Sequence, residues 1–211
     1  KVFSLPYVPP SYLFLEHDAD ESRIQNLPKK YLFYPAQFWD HKNHFRLLKA
    51  VACLVSELPD LQLVLVGGPK GAYQEVQKLI LSLGIEKRVK ILGYVSMPQM
   101  RAIYRGARAL IMPSIFGPTN IPPLEAMALG CPVAVSSNYA MAEQVGSAGL
   151  LFDPYSVEEI SAVIARLWND DRLCAEMSTR GIEKSREWTQ VHFNKRLESI
   201  ISRILNANNE I

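Results

Sequence analysis

The sequence predicts an α/β fold: a Rossmann-like parallel sheet of six strands with helices on both faces. From residue 32 onward, short apolar runs alternate with longer amphipathic stretches, which is the pattern of stacked βα units. The short runs are almost continuously apolar, as expected for strands that are covered on both faces of a sheet. They lie at residues 31–35, 62–67, 89–92, 109–112, 132–136 and 149–152.

The stretches between and after the strands carry helix signals. Apolar residues recur at helical spacing in residues 43–58, 73–83, 171–188 and 191–205. Pro59 and Gly84 follow the first two stretches and predict where those helices end. Two further helices start at capping boxes, in which a serine precedes Gln or Glu by three residues: Ser96 with Gln99, and Ser156 with Glu159. The two terminal helices have apolar stripes that need a surface to cover.

The composition excludes several classes of function. Hydrophobic residues make up 48% and charged residues 21%, which is ordinary for a soluble globular chain. A net charge of +2 without a basic run gives no field that would track a nucleic acid backbone. Three widely spaced cysteines suit a reducing compartment, and no apolar run approaches the roughly 20 residues of a membrane span. We therefore expect a cytoplasmic protein with no nucleic-acid partner.

The most informative segment is residues 113–130, Pro-Ser-Ile-Phe-Gly-Pro-Thr-Asn-Ile-Pro-Pro-Leu-Glu-Ala-Met-Ala-Leu-Gly. It follows the fourth strand and runs into a helix that Gly130 ends. Thr119 or Asn120 can cap this helix, and two prolines fall in its first turn, where a missing N–H is harmless. The free backbone N–H groups there, with the helix dipole, predict an anion site at the carboxyl edge of the sheet.

Glu125 is predicted to lie in the first turn of that helix, with its Cβ directed towards the helix start. Its carboxylate can accept hydrogen bonds from two neighbouring hydroxyls of a ribose, a task that an acidic residue performs in dinucleotide-binding folds. The alternative is that Glu125 only complements the helix dipole. Taken alone, this residue favours the alternative.

Residues 124–133, Leu-Glu-Ala-Met-Ala-Leu-Gly-Cys-Pro-Val, resemble the second half of the signature of the family 4 retaining glycosyltransferases. The resemblance continues through residues 143–146 and 149–154 and covers about residues 31–190 in order. It implies the C-terminal, donor-binding half of a GT-B fold, with a nucleotide-sugar-binding domain at residues 31–188. Residues 1–30 are then a linker with an extended segment, and residues 189–211 a helix that packs back toward a missing N-terminal domain. The start at Lys1, in a proline-rich phrase, suggests a chain excised from a longer protein.

The resemblance assigns a role to several residues around the helix start. Eight residues before Glu125, the family has another glutamate that contacts the donor hexose, and here that position is Gly117. Either Thr119, Asn120 and the backbone near Ile121 take over this contact, or the site is altered at this point. Glu125 is expected to bind the ribose.

The loop after the first strand carries a second group of candidates. Lys42 matches the family lysine that neutralises the donor diphosphate, and Gln37 stands where the family has an arginine. Gln37 keeps hydrogen-bond donors but loses the charge, so the diphosphate is expected to be held more weakly. The alternative for Lys42 is a solvated lysine at a helix start. His41 and His44 have the spacing of one helical face, but two histidines are weak evidence for a metal site, so a surface or capping role is favoured.

Two further loops complete the expected site. Gly67 and Gly68, after the second strand, can bring the backbone close to a phosphate or a sugar, although a tight strand-to-helix turn explains them equally well. Tyr94 and Val95, after the third strand, occupy the family segment that meets the nucleobase. Either side chain is equally compatible with the core.

The resemblance implies a hexosyltransferase that takes a sugar from GDP-mannose or a UDP-sugar and passes it, with retention, to a glycan or lipid-linked acceptor. Lys42 and Glu125 are the expected catalytic residues, and neither a metal nor a cofactor beyond the nucleotide-sugar donor is expected. The chain alone should bind the donor and turn over poorly, because the acceptor site lies in the other half. For the full protein, peripheral contact with the inner face of the membrane stays open. Two alternatives also stay open: a non-catalytic nucleotide-sugar-binding module, suggested by Gly117 and Gln37, and half of a nucleotide-sugar epimerase.

Overall fold

A computed structural model describes residues 2–15, 24–117 and 120–208 of the chain. The six predicted strands form one sheet in which all neighbours run parallel, in the order β3-β2-β1-β4-β5-β6. The strands are β1 (Leu32–Pro35), β2 (Leu63–Val66), β3 (Val89–Ile91), β4 (Ala109–Met112), β5 (Val133–Ser136) and β6 (Gly149–Phe152). Each lies within one residue of its predicted bounds, which confirms the Rossmann-like fold class.

Helices cover both faces of the sheet. They are α1 (His44–Leu54), α2 (Tyr73–Ser82), α3 (Met97–Gly106), α4 (Ile121–Ala128), α5 (Met141–Val145), α6 (Val157–Asn169), α7 (Asp171–Glu187) and α8 (Gln190–Asn208). On one face α1 packs between α2 and α6, and on the other α4 packs between α3 and α7. None of the described helices is long and apolar enough to span a membrane.

The helix boundaries correct two details of the sequence analysis. The first helix ends at Leu54 rather than residue 58, because the N–H of Val55 turns to the carbonyl of Ala52 at its C-terminus. The predicted box at Ser96 is complete, but the one at Ser156 is only half formed. The Ser156 hydroxyl caps the helix, while the Glu159 carboxylate accepts from the Asp153 N–H instead.

The core lies between the sheet and its two helix layers. The side chains of β1, β2, β4 and β5 are almost all fully buried, as their apolar sequences predict. Each large aliphatic or aromatic side chain buried in this way contributes about 1.5–3 kcal/mol. Trp168 is 1% exposed, and its indole N–H donates to the Asp60 carboxylate at 3.1 Å. The sheet is therefore a rigid platform for the loops at its edges.

The strand order creates a crevice at the carboxyl edge. From β1 the chain crosses to β2 on one side, and from β4 it crosses to β5 on the other. The loops that follow β1 and β4 therefore diverge. In open α/β sheets such a switch point is where ligands bind.

Residues 2–15, which we call the N-terminal arm, pack against the domain. Leu13 is fully buried, and the Pro6 carbonyl accepts a hydrogen bond from the Trp188 indole at 3.1 Å. The guanidinium of Arg203 in α8 lies 5.3 Å from the centre of the Phe3 ring. α8 otherwise keeps a row of apolar side chains at least one-third exposed: Val191, Leu197, Ile201, Ile204 and Leu205.

Candidate functional site

Glu125 projects from α4 and is bound by two tyrosines. It is the fifth residue of the helix, so it lies in the second turn and not in the first turn as predicted. The Tyr12 hydroxyl of the N-terminal arm donates to Oε1 at 2.7 Å, and the Tyr104 hydroxyl of α3 donates to Oε2 at 2.6 Å. Glu125 is only 9% exposed, so its charge depends on these donors.

Both tyrosines are held in the protonated, donating form. Tyr104 is fully buried, and desolvation together with the nearby Glu125 carboxylate raises its pKa well above the ordinary value. Burial likewise raises the pKa of Tyr12, and its hydrogen bond to Glu125 raises it further. An O–H donated to a carboxylate is among the stronger hydrogen bonds in proteins. The Glu125 carboxylate is therefore fixed in orientation.

The start of α4 differs from the predicted anion site. Asn120 occupies the N-cap position in the left-handed region, with φ 37°, and its side chain does not cap the helix. The second and third helical residues are prolines, so Ile121 alone among the first three carries a backbone N–H. The Asn120 carbonyl accepts from Gln144 Nε2 at 2.9 Å, whereas its side-chain Oδ1 is buried and has no hydrogen-bond partner in the part of the chain that the structure describes. Thr119 lies outside the described residues.

Lys42 and Gly117 meet beside Asn120 in the crevice between the loops. A Cβ placed on Gly117 would lie 2.3 Å from Asn120 Oδ1 and 3.6 Å from Lys42 Nζ. Lys42 is half-buried, and this burial lowers its pKa. Within the ranges that the structure describes, its ammonium group has neither a hydrogen bond nor an ion pair. A desolvated cation without a counter-charge therefore faces a glycine and a buried amide oxygen.

Hydrogen bonds tie the two crevice loops together. The Ile115 N–H donates to the His41 carbonyl at 2.8 Å, and Asn43 Nδ2 donates to the Pro113 carbonyl at 3.0 Å. The Tyr34 hydroxyl, beneath the loops, donates to the Lys42 carbonyl at 2.9 Å. The backbone around Lys42 is thus held on a rigid frame, as a preorganised binding site requires.

The side chains of His41 and His44 lie in different surroundings. His44 is 2% exposed between the rings of Tyr34 and Phe38, at centroid distances of 5.0 and 4.6 Å. The predicted surface role is wrong for His44 because its side chain is buried, and the residue at the N-cap of α1 is Asn43. Burial lowers the pKa of His44 to about 3. The His41 ring instead lies beside the Phe116 ring, with 6.2 Å between the two ring centres. Among the described residues, no cluster of His, Cys, Asp or Glu could hold a metal ion.

The glycine loop lies beside the first-strand loop. A Cβ on Gly67 would come within 2.3 Å of the Ala36 carbonyl oxygen, so this position needs glycine to let the two backbones approach. Gly68 lies next to the Gln37 amide, whose oxygen would be 3.4 Å from a Cβ at that position. Gln37 is exposed and free to reach a ligand. The structure therefore brings these three predicted residues together.

Tyr94 and Val95 lie at the far end of the same edge. Gly93, before them, is connected to the glycine loop because its carbonyl accepts from the Gly67 N–H at 3.1 Å. The Tyr94 ring is 90% exposed, whereas Val95 is partly buried against the core. Of the two side chains, only that of Tyr94 is free to cover a ligand.

Sequence reasoning missed several aromatic residues at this edge. Besides Tyr12 and Tyr104, the half-exposed Phe116 ring lies 5.6 Å from the ring of Tyr139, which is 69% exposed. Tyr139 has φ 55°, a conformation that costs energy for a bulky residue and is frequent at functional sites. The Tyr12 hydrogen bond joins residues 113 positions apart, so no local pattern could have revealed it.

A cavity of about 560 Å³ adjoins Asn120 on the side of the N-terminal arm. Its walls come from the arm, α4, α5 and the end of α7, and include Tyr7, Leu124, Gln144 and Trp188. This volume lies within the range of small-molecule sites.

A sequence profile of the family described as glycosyl transferases group 1 matches residues 17–184. The O-antigen chain mannosyltransferase B of Escherichia coli is 31% identical over 160 residues, which are 75% of this chain and 42% of that protein. The MMP alpha-(1->4)-mannosyltransferase of Mycolicibacterium hassiacum is 34% identical over 145 residues, 67% of this chain and 34% of that protein. The chain thus spans less than half the length of these curated relatives.

Solved structures share the fold. A sucrose-phosphate synthase of Thermosynechococcus elongatus superposes with a TM-score of 0.80 at 22% identity, over 95% of this chain and 52% of that chain. HepE of Anabaena, in complex with UDP and glucose, gives a TM-score of 0.78 at 21% identity, over 90% of this chain and 54% of that chain. In each case the chain corresponds to about one half of the larger molecule.

Proposed function

The chain belongs to the group 1 glycosyl transferases, and from that membership we propose that it is the donor-binding half of a retaining hexosyltransferase. The donor is a nucleoside diphosphate sugar, and a mannosyl donor is favoured because two relatives are named mannosyltransferases. The acceptor is a glycan or a lipid-linked sugar bound by another part of the full protein. The HepE structure, which holds UDP and glucose in a similar fold, supports this choice of ligand class.

The observation that carries the proposal is the Lys42 ammonium at the switch point, which has no partner among the described residues. A half-buried cation without a partner costs free energy, and a bound anion would recover that cost. A diphosphate in this crevice would accept from Lys42. As the bond to the hexose breaks, the leaving diphosphate gains negative charge, so Lys42 would stabilise the transition state more than the ground state. The Gln37 amide and the Gly68 backbone N–H would donate to the remaining phosphate oxygens, and Gly67, whose N–H donates to the Gly93 carbonyl, would let the loop approach them.

The rest of the donor is placed by its chemistry. Glu125 would accept from the ribose hydroxyls, because each carboxylate oxygen has lone pairs to offer. At the outer end of the edge, the exposed Tyr94 ring would cover the nucleobase, and the backbone of Val95 would border it. We assign the hexose to the neighbourhood of Gly117 and Asn120, because Lys42 would hold the diphosphate beside them.

Further residues support the sugar end of the site. The Asn120 amide oxygen has no donor among the described residues and would accept a hydrogen bond from a sugar hydroxyl, while Thr119 and Ile121 flank it in sequence. The adjoining cavity of about 560 Å³ would hold the part of the sugar or acceptor that extends past Asn120. The exposed apolar row of α8 fits a contact between residues 189–211 and the acceptor-binding half.

One observation favours a second candidate, a non-catalytic nucleotide-sugar-binding module. Gly117 leaves the hexose side without a carboxylate, so this half supplies binding groups but no acid or base at that point. Full-length protein incubated with GDP-mannose and UDP-glucose distinguishes the two candidates. Sugar transfer to an acceptor supports the enzyme, and donor binding without transfer or hydrolysis supports the module.

Isothermal titration with UDP and GDP tests the donor site. Lys42→Ala is expected to weaken binding of the preferred nucleotide about 10-fold or more, since hydrogen bonds to charged groups are worth about 1.5–3 kcal/mol. Lys49→Ala is the matched control, because Lys49 is an exposed lysine on α1. The proposal fails if neither nucleotide binds, or if Lys42→Ala and Lys49→Ala bind equally well.

A further inference from the structure

We propose that Tyr12 of the N-terminal arm competes with the donor ribose for Glu125, so that the arm controls access to the donor site. The inference rests on the proposed function, because it requires Glu125 to receive a ribose. It adds a residue outside the α/β domain core to the determinants of donor affinity.

The geometry around Glu125 separates a permanent partner from an exchangeable one. Tyr104 is fully buried and reaches Oε2 from the core, where no ligand can replace it. Tyr12 is partly exposed and reaches Oε1 from the arm. Because Tyr104 is fully buried and Tyr12 is partly exposed, the Oε1 side of the carboxylate is the one that a ligand can reach by displacing a tyrosine.

The exchange replaces one bond with another of the same kind. Tyr12 gives Glu125 an O–H donor, and a ribose hydroxyl would give it the same type of donor. Without either, the buried carboxylate would lose a partner at considerable cost. Tyr12 therefore satisfies the Glu125 carboxylate when no donor is bound. The donor must displace this hydrogen bond, which lowers its affinity.

The arm can release the side chain without unfolding. Leu13, next to Tyr12, is fully buried, and the Leu15 carbonyl accepts a hydrogen bond from the Arg101 guanidinium. On the other side, the Pro6 carbonyl is held by Trp188. Between these anchors, a change of rotamer at Tyr12 is enough to free Oε1.

Titration of Tyr12→Phe with UDP, GDP and their 2′-deoxy analogues tests the competition. This variant keeps the ring and removes only the competing hydroxyl, so we expect about 10-fold tighter binding of the ribonucleotide. The gain should be smaller for the 2′-deoxy analogue, which has one hydroxyl fewer for Glu125. Tyr155→Phe is the control, because Tyr155 is a half-exposed tyrosine beside Arg46 whose hydroxyl makes no hydrogen bond to any residue described.

A second variant tests whether the gain in affinity depends on the Glu125 carboxylate. If Tyr12 acts through Glu125, then Tyr12→Phe should give no gain in a Glu125→Ala background. Unchanged or weaker ribonucleotide binding by Tyr12→Phe, while the unmodified chain binds, overturns the competition and leaves the donor site intact. Failure of the unmodified chain and of every variant to bind either nucleotide overturns the donor site itself, and the competition with it.

Discussion

Tyr104→Phe isolates the strength of the buried bond to Glu125. The substitution removes one hydroxyl from a side chain that is 0% exposed and keeps the ring, which packs edge-on against Phe33 at a centroid distance of 4.9 Å. No large cavity forms, so the cost comes almost entirely from the lost hydrogen bond. The acceptor is a buried carboxylate at 2.6 Å, which places the bond among the charge-assisted ones.

The expected loss in the free energy of unfolding is about 1.5–3 kcal/mol. For a domain of this size each kcal/mol corresponds to about 2–4 °C in Tm, so the midpoint should fall by about 3–12 °C. Tyr31→Phe is the matched control: Tyr31 is 1% exposed, and its hydroxyl donates at 2.7 Å to the uncharged Ile103 carbonyl. Its expected loss is about 0.5–1.5 kcal/mol.

Urea unfolding monitored by circular dichroism measures both variants on the same scale, and equal m-values confirm that the denatured states are comparable. A Glu125→Gln background supplies the double-mutant cycle with Tyr104→Phe. The reasoning is refuted if Tyr104→Phe costs no more than Tyr31→Phe. It is also refuted if the cost is the same whether or not residue 125 carries a charge.

Three further predictions concern burial elsewhere. Burial lowers the pKa of His44 from 6.5 to about 3, so the native state resists protonation of this residue. The free energy of unfolding therefore has its full value above pH 6.5 and decreases as the pH falls toward 3. His44→Phe should therefore flatten this slope, by up to about 1.4 kcal/mol per pH unit, in urea titrations between pH 6 and 4. Gly67→Ala should destabilise by about 1–3 kcal/mol because its Cβ meets a backbone carbonyl at 2.3 Å, whereas Gly68→Ala should cost about 0.5 kcal/mol or less, as urea midpoints will show. A thiol reagent should react quickly with the exposed Cys53 of the native protein but not with the buried Cys131, because burial raises the pKa of the Cys131 thiol to about 12. Mass spectrometry measures the labelling at each cysteine, and fast labelling of Cys131 would contradict its burial.

The order and type of the main elements could be predicted because each rests on a local pattern. Apolar runs of four to six residues marked the strands, and the serine three residues before Gln99 marked the start of α3. The ends of the helices could be predicted less accurately. The sequence at residues 55–58 is compatible with a helix, and only packing and the C-terminal turn end α1 at Leu54. The short α5 carried no signal strong enough to predict.

For the site, the sequence determined the chemistry that is available: a lysine after β1, a carboxylate in α4 and glycines where the chain must approach itself. Only the tertiary structure decided which of these groups meet. Lys42, Gly117 and Asn120 converge because the strand order places β1 beside β4. The two tyrosines reach Glu125 from 113 and 21 residues away, because hydrogen-bond partners depend on the path of the chain and not on its local pattern.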